Sequence, residues 1–118
     1  MIMKTHGMTF VPVCHIEDLV PGRGACALVN GEQVALFRLP RGSIYALGNH
    51  DPFSGANVLS RGIVGDVKGE LVVASPIYKQ HFSLVSGQCL EKPEVGVPVY
   101  AVRTLKGRVE VGCPTAAI

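Results

Sequence analysis

Glycine and proline punctuate this chain so evenly that no long helix fits between them. The 118 residues include 14 Gly and 8 Pro. No window of eleven or more residues carries a 3.6-residue apolar period free of both. An interior Gly disfavours helix by about 1 kcal/mol and an interior Pro by about 3 kcal/mol. What survives is a series of short apolar runs: "TFVPVC", "ACALVN", "QVALFRL", "IYAL", "IVGDV", "LVVAS", "HFSLV", "VPVYAVR" and "RVEVG". They are rich in Val, Ile, Leu, Tyr and Phe and are bounded by turn residues, which is strand chemistry. "RVEV" alternates as a half-buried strand does. Pro21-Gly22 marks a turn, and Asn30-Gly31 and Lys106-Gly107 mark tight hairpins. The best helical stretch, Ala56 to Gly62, is one or two turns long. The expectation is an all-β domain spanning residues 1–118, of about nine or ten short strands in small antiparallel sheets or an incomplete barrel. No internal repeat, low-complexity tract or linker marks a second unit.

Composition narrows the function. Apolar residues make up 47% and charged residues 17%, against about 25% charged in an ordinary soluble domain. A surface short of charge hints at cover by a partner. The net charge is +2, from 11 basic and 9 acidic residues, with no Lys or Arg run. That argues against nucleic acid. No apolar stretch approaches the ~20 residues that cross a bilayer, so no membrane role is expected. "MIMKTHGMTF" lacks a signal-peptide core. A cytoplasmic location follows as the expectation, with Cys14, Cys26, Cys89 and Cys113 as thiols.

Two stretches look like loops built to hold something: "YALGNHDPFSGANVLSRG" and "VVASPIYKQHFSLVSGQCLE". Each places a proline after a polar residue, with a bulky residue close behind. Together they resemble the Rieske domain, an all-β fold with two projecting loops. There a Cys-x-His pair on one loop and a Cys-x-x-His pair on the other hold a [2Fe–2S] cluster. Laid on this chain, the first pair falls on Asp51-Pro52-Phe53 and the second on Ser75-Pro76-Ile77-Tyr78. The four ligand positions are thus Asp51, Phe53, Ser75 and Tyr78, with no Cys or His among them. Phenylalanine has no lone pair, and one carboxylate cannot hold two irons. The replacements suit packing instead. Phe53 and Tyr78 are expected to fill the volume of a cluster, and Asp51 and Ser75 to bond nearby backbone N–H groups.

The segments "DPFS…VLSRGIVGD" and "VASPIYKQHFSL…GQCLE" further resemble the small subunit of the assimilatory, NAD(P)H-dependent nitrite reductase. That resemblance implies an accessory subunit with no catalytic centre or cofactor of its own. It also implies a large catalytic partner that carries FAD, sirohaem and an iron–sulfur cluster and reduces nitrite to ammonium in nitrate assimilation. It leaves NADH or NADPH open. Proline-stiffened loops without a cluster keep one use, docking. Phe53, Ile77 and Tyr78 are the expected apolar anchors, with Lys79 and Gln80 at the rim.

Other readings are weaker. His50, Asp51 and His81 have the residue types of a two-His, one-carboxylate metal site, but neighbours in extended chain point apart. The four cysteines are scattered and read as small buried hydrophobes. Ser54, Ser60, Ser75, Ser83 and Ser86 include no Gly-x-Ser-x-Gly elbow. Two rivals remain: a true [2Fe–2S] electron carrier, and a free-standing β domain with its own small ligand.

Overall fold

The computed structural model describes residues 8–114. Among them are nine strands: β1 (Met8–His15), β2 (Gly24–Val29), β3 (Glu32–Arg38), β4 (Ile44–Gly48), β5 (Ile63–Val67), β6 (Glu70–Ala74), β7 (His81–Ser83), β8 (Val99–Leu105) and β9 (Arg108–Pro114). The only helical elements among the described residues are single 3₁₀ turns at Ile16–Asp18 and Leu59–Arg61. The stretch read as a possible helix, Ala56 to Gly62, is helical only over the second of those turns; the residues before it form a bend at Ala56 and a bridge from Asn57 to His50.

Six strands form one antiparallel sheet in the order β1-β9-β8-β4-β3-β2, and the other three form a second in the order β5-β6-β7. The larger sheet curls until its edges, β1 and β2, touch, so it makes an incomplete barrel. Three hairpins are closed by two-residue turns with positive φ at both positions: Asn30-Gly31 (49° and 83°), Lys68-Gly69 (52° and 88°) and Lys106-Gly107 (53° and 77°). Such turns match the right-handed twist of the strands they join.

Strand β3 explains the layering. Its run Val34-Ala35-Leu36-Phe37 is buried on both faces, so it reads as continuous apolar sequence rather than as alternation. Val34 and Leu36 face the barrel interior with Leu19, Val29, Ala46, Val109 and Val111. Ala35 and Phe37 face outward into a second core with Leu47, Leu59, Val73, Phe82, Leu84 and Cys89. The small sheet lies over that outer face. Both long loops leave from this second core.

Candidate functional site

The loops that carry the site are two copies of one six-residue turn. In residues 51–56 the Asp51 N–H donates to Ala56 O at 2.8 Å, and the Gly55 N–H returns to Asp51 O at 2.8 Å. The Phe53 N–H donates to the Asp51 side chain at 2.9 Å. In residues 75–80 the same three bonds recur: Ser75 N–H to Gln80 O at 2.9 Å, Lys79 N–H to Ser75 O at 3.1 Å, and Ile77 N–H to Ser75 Oγ at 3.3 Å. A third copy follows in residues 83–88, with Ser83 N–H to Gln88 O, Gly87 N–H to Ser83 O and Val85 N–H to Ser83 Oγ. The fifth residue has positive φ each time: Gly55 (77°), Lys79 (68°) and Gly87 (79°). The sequences are DPFSGA, SPIYKQ and SLVSGQ. They share too few letters to register as a repeat, although the geometry repeats.

Comparison of the copies isolates what is peculiar to the second loop. The first and third turns carry Ser-Gly at their fourth and fifth positions, and each serine folds back to accept the N–H two residues on (Ala56 to Ser54 Oγ, 3.3 Å; Gln88 to Ser86 Oγ, 3.2 Å). The second loop has Tyr78-Lys79 there. Tyr78 does not fill a buried volume as its sequence position suggested; it is 60% exposed. The reason is the turn itself, which directs its fourth residue away from the core. Phe53 does pack inward, half-buried against the second core with its ring centroid 6.0 Å from that of Phe82. Ile77 is 43% exposed and Lys79 is exposed. Gln80 is half-buried and closes the loop through its carbonyl. Ile77, Tyr78 and Lys79 thus form the tip, with Phe53 at its root.

Beneath the tips the loops meet. Ser75 Oγ donates to Asp51 Oδ2 at 2.5 Å, and both residues are fully buried. Burial opposes a charged carboxylate, yet the bonds led by Ser75 and the Phe53 amide outweigh it and hold the Asp51 carboxyl below its usual range. The backbone bonds expected of Asp51 and Ser75 are present; the bond between the two is not evident from local sequence.

Asn49 is a residue that the sequence did not single out. It is buried, and its Nδ2 donates to Gln33 Oε1 at 3.0 Å and to Asn57 O at 3.2 Å. Its Oδ1 accepts the Ser60 N–H at 2.7 Å. It ties the root of the first loop to β3 and to the second 3₁₀ turn. The histidines near the loops are engaged elsewhere: His50 Nδ1 with Asn57 Oδ1 at 3.0 Å, and His81 Nδ1 with Glu91 Oε2 at 2.6 Å. Neither bonds Asp51 or a serine, and among the described residues no cluster of His, Cys, Asp or Glu has metal-site geometry. Burial pushes the Cys14 and Cys89 thiols up, away from reactive thiolate.

Known proteins share this architecture. The Rieske-like [2Fe-2S] domain family matches residues 9–112. The small subunit of nitrite reductase (NADH) from Salmonella typhimurium is 46% identical over 100 residues, covering 84% of this chain and 93% of that protein. The solution structure of NirD from E. coli superposes with a TM-score of 0.85 at 39% identity, covering 92% of this chain and 100% of that one. The nitrite reductase [NAD(P)H] large subunit of Klebsiella oxytoca contains a stretch 40% identical over 100 residues, which covers 85% of this chain but only 10% of that protein.

Proposed function

Because the chain belongs to the Rieske-like domains and, among them, to the small subunits of NADH-dependent nitrite reductase, we propose that it acts as the cluster-free docking subunit of that enzyme. It is a subunit of an oxidoreductase. In this reading it carries no catalytic centre, and electrons from NADH pass to nitrite through FAD, an iron–sulfur cluster and sirohaem in the large subunit. The complex works in the cytoplasm, and the tip formed by Ile77, Tyr78 and Lys79 meets the large subunit.

The observation that carries this reading is the departure of the second loop from its two copies. Where they place a back-bonded serine and a glycine, it presents an exposed tyrosine and a lysine with φ of 68°. A large exposed aromatic beside a backbone strain that its sister turns avoid is what a recognition surface looks like, not a fold requirement. The donor set at the former ligand positions supports the absence of a cluster. Soft iron–sulfide chemistry needs thiolates and imidazoles. Here one position is a phenyl ring and one an exposed phenol, and the other two are bonded to each other. That a longer relative, named as the large subunit, contains this domain within its own chain favours the large subunit as the partner.

The test is co-purification. The tagged chain expressed beside its large subunit captures it, and the isolated chain is colourless and free of iron and acid-labile sulfide. A tagged chain that emerges alone at every salt concentration removes the docking role. Stoichiometric iron and sulfide in fresh material removes the cluster-free reading.

A further inference from the structure

The buried Asp51 is more than its turn needs. The third copy of the turn shows that a serine at the first position suffices: Ser83 Oγ accepts the Val85 N–H at 3.2 Å and the Ser86 N–H at 3.1 Å, and reaches no other loop. Asp51 has two oxygens. One does the work that Ser83 does, accepting the Phe53 amide. The other crosses to the second loop, 24 residues on, and takes the Ser75 hydroxyl. A carboxylate with no exposed surface is unfavourable unless its oxygens are bonded, and a short O–H···O⁻ bond is among the stronger hydrogen bonds available. Ser75 completes the relation from its side. Its single oxygen donates to Asp51 and accepts from Ile77, so the tip residue Ile77 hangs on the same atom that grips the first loop.

We propose that Asp51 and Ser75 form a latch that locks the two loops into one rigid unit, so that Phe53 on one loop and Ile77, Tyr78 and Lys79 on the other present a single preformed surface. Both are positioning residues and neither lies at the surface. The latch stands on geometry alone; its consequence for binding rests on the docking role proposed above. A surface ordered before contact loses less freedom on association.

The two substitutions are read crosswise, each in the loop that it does not alter, by amide hydrogen exchange on the full chain. D51S keeps a serine turn of the kind seen at Ser83 and removes the oxygen that reaches Ser75. It is expected to speed exchange of the Ile77 and Lys79 amides at least tenfold, with the β8 and β9 amides unchanged. S75A is expected to do the same to the Phe53 and Gly55 amides. Either variant leaving the opposite loop's exchange unmoved overturns the latch; should D51S not fold, S75A decides alone. In the complex, both variants are expected to weaken affinity for the large subunit at least tenfold. Faster exchange with unaltered affinity leaves the latch standing and overturns the docking surface instead.

Discussion

Lys79 stands where Gly87 stands in a copy of the same turn, with φ of 68° against 79°. A side chain in that left-handed region costs about 1 kcal/mol relative to glycine. Lys79→Gly is therefore expected to raise the unfolding free energy of the isolated chain by about 0.5–1 kcal/mol in urea titrations. The same variant is expected to bind the large subunit more weakly. Stability and affinity moving in opposite directions would mark Lys79 as retained for contact; a gain in both would remove it from the interface.

Tyr78 separates fold from function more sharply. Its ring is mostly exposed, so Tyr78→Asp is expected to change stability by less than about 0.5 kcal/mol. It is expected to weaken the complex at least tenfold, read by surface plasmon resonance or by loss of co-purification. Phe53→Asp is a poorer probe of the interface. It places a charge against Phe82 in the second core and is expected to unfold the small sheet, seen as lost near-ultraviolet dichroism.

Acid stability tests a different region. Glu110 is buried between two arginines and accepts from Arg103 Nε at 2.7 Å and Arg108 Nε at 3.2 Å. The Arg103 hydrogen bond, helped by Arg108, outweighs the opposing effect of burial and holds the Glu110 carboxyl below its usual range. A carboxylate whose folded value is depressed contributes stability that is fully present above its unfolded value and is lost as pH falls through the folded one. The melting temperature of the native chain should therefore fall on acidification below the ordinary carboxylate range. Glu110→Gln should start lower at neutral pH and fall less steeply. Parallel curves for the two proteins would show that Glu110 adds nothing to the acid dependence. Arg103 also lies over the Phe10 ring, 4.1 Å from its centroid, so the loss should loosen β1 first, detectable as earlier exchange of its amides.

Gly24 supports the site from a distance. A Cβ there would run into the Ser60 carbonyl oxygen and the Phe37 ring. Gly24→Ala should destabilise the chain by about 1–3 kcal/mol. Because Ser60 donates its N–H to Asn49, the displacement should reach the first loop as chemical-shift changes at Asn57. Shifts confined to β2 would disconnect the two.

Much of the architecture was legible because its signals are local. Asn30-Gly31 and Lys106-Gly107 name their hairpins by the φ values they tolerate, and Gly and Pro spacing ruled out long helices. Membership of the Rieske-like family was readable from the order of the loop segments, with Asp51, Phe53, Ser75 and Tyr78 at the former ligand positions. What stayed hidden is set by tertiary structure. The direction of Tyr78 depends on a turn closed by Ser75 and Gln80, and DPFSGA, SPIYKQ and SLVSGQ do not announce a common shape. The Asp51–Ser75 bond joins residues 24 apart, and no local pattern encodes it. Asn49 carries no local signal, because its bonds run to Gln33, Asn57 and Ser60, which only the folded chain brings together.

Met8 and Pro114 face each other as partners at the end of the β1–β9 ladder, a spacing of about 5 Å between Cα atoms in an antiparallel pair. Entry to the described fold and exit from it are therefore neighbours. Such a module can be stitched into a longer polypeptide without stretching either seam, and it can be re-ended elsewhere. A circular permutant that joins these two positions and opens between Lys68 and Gly69 would keep both sheets, with its new ends on the hairpin that leads out of β5.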